Sequence, residues 1–233
     1  MIKAVLTIDD IASKNTPAIV DYLTQKGIKA LMFAWGENVE ARFDEAVYAL
    51  KKGMIVGNHS YSHPGFSQIT LEEGIDEIEK CEAVLDRLYE AAGVERRFRP
   101  FRFPYGDKGG DNKAALQKYL ADKGFDKLDD RRLPWQWWKD WGLCRDIDTL
   151  WTFDLAEYNI RPGSGFTAED VIRRINDPAP DNGAPMLQEG GEHIILLHAH
   201  DETDELVPGY YRQFVDYLLS RGVEFIEPRF IER

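Results

Sequence analysis

Cysteine is scarce: Cys81 and Cys144 are the only two in 233 residues, far apart and in no CxxC pair. That excludes a disulfide framework and a thiolate metal site, and free thiols fit a reducing compartment. Positive charge is also in deficit. Against 41 Asp and Glu stand 29 Lys and Arg, a net charge of −12. This disfavours nucleic acid or an anionic polymer held by bulk charge, and leaves a neutral ligand open. No apolar run approaches the length that spans a bilayer, so no membrane association is expected. Nor does a leader-like segment stand before "KAVLTI", and a cytoplasmic location is the expectation, a trimmed leader aside. Internal repeats and low-complexity linkers are missing too. One domain, residues 1–233, is expected, since α/β barrels reach this length.

What is present is alternation. "KAVLTI" (3–8) reads as a buried strand, followed by a helix with Thr16 as N-cap, Pro17 at its first position and Gly27 past its end. "KALMFAW" is the next strand and "VEARFDEAVYALKKG" one helix. "MIVGN" is a short strand. Thr70 with Glu73 forms a capping box for a long helix towards Ala92. "FRPFRF" is strand-like but interrupted by Pro100, Asp111 is expected to cap a helix ending near Gly124, and "TLWTF" is a strand. A helix from Thr167 through Asn176, the apolar strand "HIILLH", a helix near 209–221 and the strand "VEFIE" complete the chain. About eight strands alternating with helices predict a parallel, irregular (β/α) barrel.

In such barrels the working residues gather at the carboxyl ends of the strands. Here those ends carry Asp9 and Asp10, His59, Arg102, Asp154 and His198. Side-chain alternation predicts that Asp9 and Asp10 point different ways, which allows them different tasks. "HSYSH" sets His59 and His63 four apart, within reach of one ion, in a tight turn because Pro64 biases His63 away from helix. Two imidazoles and a carboxylate make a catalytic type of Zn²⁺ site with a position left for water. The second aspartate is then free to act as base.

With these motifs the chain resembles the polysaccharide deacetylases of the NodB-like type, carbohydrate esterase family four, over Thr7 to about Asp201. "TIDD" is similar to the family's first motif, which implies Asp9 as base and Asp10 as metal ligand; "HSYSH" implies His59 and His63 as ligands. "RFPY" implies that Arg102 orients the base and that the Tyr105 amide steadies the oxyanion. "DLAEY" implies Asp154 as partner of the catalytic histidine, and "LLH" implies Leu196 in the acetyl pocket and His198 as general acid. The implied fold is the family's single-domain α/β barrel. The implied cofactor is a divalent metal, Zn²⁺ by default with Co²⁺ or Ni²⁺ as alternatives. The implied substrate is an acetylated sugar or oligosaccharide, with N-acetyl favoured over O-acetyl.

Three features depart from the family pattern. Ile11 stands where Gly usually follows the paired acids, Tyr158 replaces a Trp and alters one wall of the sugar site, and the family pattern does not place "RRLPWQWWKDWGLCRDI" before Asp154. Trp151 reads as core. Trp135, Trp137, Trp138 and Trp141 read as local packing or a homo-oligomer interface, ahead of a sugar platform. "HAHD" leaves another ligand set open, because the strand period puts His198 and His200 on one face. Two other functions stay open as well: hydrolysis of a small cyclic amide or imide at the same site, and sugar binding without catalysis.

Overall fold

The computed structural model of the protein describes residues 1–232. Its elements in chain order are β1 (Ile2–Ile11), α1 (Thr16–Lys26), β2 (Leu31–Ala34), α2 (Gly36–Ala41), α3 (Phe43–Lys51), β3 (Ile55–Asn58) and α4 (Leu71–Ala92). They continue with α5 (Lys113–Asp122), α6 (Gln136–Asp140), β4 (Phe153–Asp154), α7 (Ala168–Asn176), β5 (Glu192–His198), α8 (Asp201–Leu206), α9 (Tyr210–Ser220) and β6 (Val223–Phe225). The sheet runs β3-β2-β1-β5-β4, with β6 added to the start of β1, and every pairing is parallel.

Six strands form among the described residues where about eight were expected. The missing wall is irregular chain. Asn58 bridges to Phe101, whose carbonyl accepts from the Thr149 amide at 2.8 Å, and the Thr152 amide in turn reaches Ile194 of β5 at 2.9 Å. These isolated bonds close the barrel between β3 and β4. Pro100, with no N–H to give, keeps "FRPFRF" from pairing further.

The barrel's outer face packs on the helices. Leu6, Ile8, Met32, Ala34, Ile195 and Leu197 share one buried cluster with Ile19 and Leu23 of α1, Ala46 and Leu50 of α3, and Phe214 and Leu218 of α9. Alternation sends Val5, Leu31, Phe33 and Ile194 inward instead, where they meet Trp135, Trp138, Leu133 and Leu143. The Trp135 indole donates to the Glu192 carbonyl at 2.8 Å, at the start of β5, and the Trp138 indole donates to Asp130 at 2.8 Å. The tryptophan-rich segment therefore plugs the amino-terminal mouth of the barrel, opposite the strand ends that carry the ionisable groups. Trp141, 68% exposed, is its outer edge.

Local signals hold in part. Thr70 and Glu73 exchange the two bonds of a capping box, and Gly27 ends α1 with φ 70°. Thr16 is the first helical residue, with Asn15 at the cap position, and Asn112 rather than Asp111 precedes α5. The stretch read as one helix from Val39 breaks at Arg42 (φ −139°), so that Val39 in α2 and Ala46, Ala49 and Leu50 in α3 each face the core. Among the described residues no helix is long and apolar enough to cross a membrane.

The end of β3 is fixed from two sides. The Asn58 side chain donates to Ile78 O and Glu82 Oε1 of α4 at 3.0 and 2.9 Å, and Glu82 pairs with Arg96 and Arg99 at 2.8 Å. On the other side, a Cβ on Gly57 would lie 2.7 Å from both Cγ and the carbonyl oxygen of Pro100. Gly57→Ala is expected to cost about 1–3 kcal/mol, the usual range for an overpacked core. It would be read as a lower urea midpoint at unchanged slope. An unchanged midpoint would mean that Pro100 does not press on β3 as described.

Candidate active site

Strand register places the chemistry. In the parallel β1–β5 ladder, Thr7 is opposite Leu196 and Asp9 is opposite His198. Leu196 and His198, two apart, share the inward face and line a cavity of about 620 Å³ at the carboxyl end of the barrel.

Asp9 and Asp10 do not point apart. Asp10 adopts φ 64°, and the β1–β2 register shifts between Ile8 and Ile11. The backbone thus turns where a regular strand would alternate, and both carboxylates enter the same cavity. Asp9 Oδ2 and Asp10 Oδ1 lie 3.4 and 3.6 Å from the same atom, His59 Nε2. Ile11, which follows, is fully buried as the strand's last residue and pairs with Ala34. Non-glycine residues with positive φ are unusual, each costing on the order of 1–3 kcal/mol where sparsely populated, and they collect at functional sites. Of the five among the described residues, Asp10, His63 and Tyr105 line this cavity, Ser60 follows His59 of its lining, and Ala156 lies between its Asp154 and Tyr158.

Asp10, His59 and His63 form a buried set whose donor atoms lie within 4.8 Å of one another. The His59 Nδ1 is 2.8 Å from the Arg102 carbonyl, which can only accept, so Nε2 turns a lone pair towards Asp10. Burial, outweighing the pull of Asp9, holds the His59 imidazole below its ordinary pKa and so neutral. His63 lies between Trp35, stacked at 4.6 Å, and the edge of Tyr105 at 4.6 Å. Its Nε2 is 3.3 Å from Asp10 Oδ1. That oxygen is buried and has no hydrogen-bond donor in place. A buried acceptor left so is costly, and a cation would satisfy it, so these residues fit a divalent metal. Burial works to raise the Asp10 carboxyl, yet His200 and His63, helped by His198 and His59, hold it well below the usual carboxylate range.

Arg102 is no surface ion pair. It is 0% exposed, with Nη1 donating to Asp9 Oδ1 at 2.6 Å and to Thr7 Oγ1 at 2.8 Å, and Nε to the Thr149 carbonyl at 2.8 Å. Its guanidinium also lies 4.4 Å above the Phe33 ring.

The histidine partner differs from the expectation. Glu157, not Asp154, faces His198: its Oε1 accepts from the His198 amide at 2.6 Å and lies 3.0 Å from Nδ1. Asp154 instead accepts from the Ala156 amide at 2.8 Å and the Tyr158 hydroxyl at 3.2 Å. The cause is Ala156, whose φ of 58° reverses the chain and swings the second acid of "DLAEY" inward. The two acids of that motif were the available signal; spacing alone did not rank them. Burial opposes charge on His198, but Glu157 foremost, with Asp10 and Asp9, pushes its imidazole up to about 10. Burial and the charge of Glu157 raise the Asp154 carboxyl.

Tyr158 packs its edge on His198 at 4.9 Å, and it lines the cavity with Tyr105, Trp35 and Trp151. Trp151, read as core, is thus a wall of the site. Trp35 and Arg161, also in the lining, carried no sequence signal.

The profile of the polysaccharide deacetylase family matches residues 2–126. The chain belongs to that family. Chitin deacetylase 1 of Cryptococcus neoformans is 34% identical over 209 residues, 88% of this chain and 39% of its own length. The peptidoglycan-N-acetylglucosamine deacetylase of Bacillus cereus is 39% identical over 104 residues, 44% of this chain and 36% of its own. The chain thus spans well under half the length of these relatives. Among solved structures, the Bc1960 peptidoglycan N-acetylglucosamine deacetylase superposes with a TM-score of 0.65 at 23% identity, over 96% of this chain and 85% of that one. At that identity the likeness shows the family's α/β fold alone.

Removing the Glu157 charge tests the His198 environment. In the metal-free protein, Glu157→Gln should lower the His198 pKa from about 10 by at least one unit, because the main charge favouring the imidazolium is gone. Histidine NMR titration reads this directly. An unmoved pKa would remove Glu157 from the role.

Proposed function

We propose that residues 1–233 form one catalytic domain that hydrolyses the N-acetyl group of a neutral acetylated sugar or oligosaccharide with the help of a divalent metal, Zn²⁺ first and Co²⁺ or Ni²⁺ as alternatives. One observation carries the reading: a buried ligand set with an unsatisfied oxygen stands between a carboxylate held by an arginine and an imidazole held by a carboxylate. Held by Asp10, His59 and His63, such a metal supplies Lewis acidity towards an acetyl oxygen and acidifies water.

The remaining roles belong to the chain. Asp9, aligned by Arg102, takes a proton from the attacking water. His198 gives one to the leaving sugar amine; Glu157, 3.0 Å from its Nδ1, favours the imidazolium that does so. The Tyr105 amide, in a turn at φ 59°, is the proposed oxyanion donor. Leu196 and Tyr158 are proposed to frame the acetyl group, with Trp35 and Trp151 against the sugar faces. Asp154 serves this site by holding the Tyr158 hydroxyl rather than by pairing with His198.

Retention of Asp9, Arg102 and His198 argues against sugar binding without catalysis. Asp9→Asn keeps an acceptor for Arg102 and should lower kcat for acetate release from N-acetyl chitooligosaccharides by about 10²–10⁴-fold while ligand binding persists. Retained turnover would refute the base. Exhaustive chelation should abolish activity and added Zn²⁺ or Co²⁺ restore it. Turnover of a cyclic imide with no acetate released from any sugar would replace this reading with the imide hydrolase.

A further inference from the structure

We infer that His200 is a positioning residue for the metal site, holding Asp10 as a ligand through one oxygen only. The inference rests on the metal reading above. His200 Nε2 lies 2.7 Å from Asp10 Oδ2. A carboxylate oxygen only accepts, so Nε2 carries the hydrogen and donates it. The two oxygens of Asp10 are thereby divided: Oδ2 is taken by His200, while Oδ1 faces His63 at 3.3 Å and His59 at 3.6 Å. His200 lies outside the three-residue ligand set. It lines the same cavity and reaches that set through Asp10 Oδ2.

The histidine is itself held. Its amide donates to the Tyr210 hydroxyl at 3.1 Å, and its carbonyl accepts from Asn15 Nδ2 at 3.2 Å. The same Tyr210 hydroxyl, on a fully buried ring, donates to the His198 carbonyl. One phenol therefore sets both histidines of "HAH". Their rings lie 5.0 Å apart and 30° from parallel, as extended backbone two residues apart requires.

A carboxylate fixed through one oxygen cannot swing round to chelate with both. Ligand basicity and direction would then be set, which would leave a bound metal a position for water or substrate. The outer hydrogen bonds of metal ligands commonly govern affinity by about 10–100-fold.

The test compares the chelator-stripped wild type with His200→Ala and His200→Gln. Zn²⁺ affinity is read by competition with a chromophoric chelator, and the Co²⁺-loaded proteins by their visible absorption. The wild type should take up one equivalent. His200→Ala should bind about 10–100-fold more weakly with native circular dichroism and a changed Co²⁺ spectrum. His200→Gln, whose amide can still donate, should regain most of the affinity. If His200→Ala loses its fold, His200→Met, which fills the space without a donor, carries the same expected loss. Equal affinity and an unchanged Co²⁺ spectrum in the alanine or methionine variant overturn the inference while the metal site stands. A wild type that binds neither ion overturns both.

Discussion

The turn at Asp10 is the constraint on which the site depends. Were β1 regular to its end, Asp9 would face the barrel interior and Asp10 the helices, and no single cavity would hold both. A left-handed backbone at Asp10 cancels that alternation at one residue. An L-residue pays for it with steric strain. The surroundings then hold it in place: Trp35 N–H donates to the Ile11 carbonyl at 2.9 Å, and Ala199 N–H to the Asp9 carbonyl at 3.0 Å. The strand is thus anchored on both sides of the kink, so the strained residue has no freedom to relax.

Arg102 links the two halves of the site. Its side chain holds Asp9, while its backbone carbonyl sets the His59 ring through Nδ1. One residue therefore directs both the proposed base and a proposed ligand. Breaking a buried pair of this kind costs about 3–5 kcal/mol, because the remaining charge is left without a partner. The Phe33 ring beneath the guanidinium belongs to the cluster plugged by Trp135 and Trp138. Through Phe33, packing at the amino-terminal mouth supports the geometry at the catalytic end.

How much of this could be read in the sequence follows from the range of each interaction. Asp9, Asp10, His59 and His63 were legible because motif and strand end coincide. The capping box at Thr70 was legible because it is local. The pairing of His198 with Glu157 was not, since it depends on one positive φ at Ala156, a residue type that gives no hint of it. About eight strands became six because "FRPFRF" meets β3 at one bridge, Asn58 to Phe101, and the contacts of Thr149 and Thr152 do not extend into ladders. The tryptophan-rich stretch was left between local packing and an oligomer interface, and the place of Trp135 and Trp138 inside the barrel mouth required the three-dimensional fold.

Charge balance ties the parts together. Four carboxyl groups, Asp9, Asp10, Asp154 and Glu157, converge at one end of the barrel. Against them stand Arg102, paired with Asp9, and His198, paired with Glu157. Burial raises the Asp154 carboxyl, which reduces its share of the charge. Asp10 is left with imidazoles alone, and burying a carboxylate without a full countercharge is expensive. His200 satisfies Oδ2, while Oδ1, 3.3 Å from His63 Nε2, still lacks a donor. A divalent cation is the partner this arrangement fits, at an acid whose ion pairs are all with imidazoles. The same deficit explains why Asp9 and Asp10, the proposed base and ligand, adjacent in sequence and alike in chemistry, are not interchangeable: the guanidinium of Arg102 is already committed to Asp9.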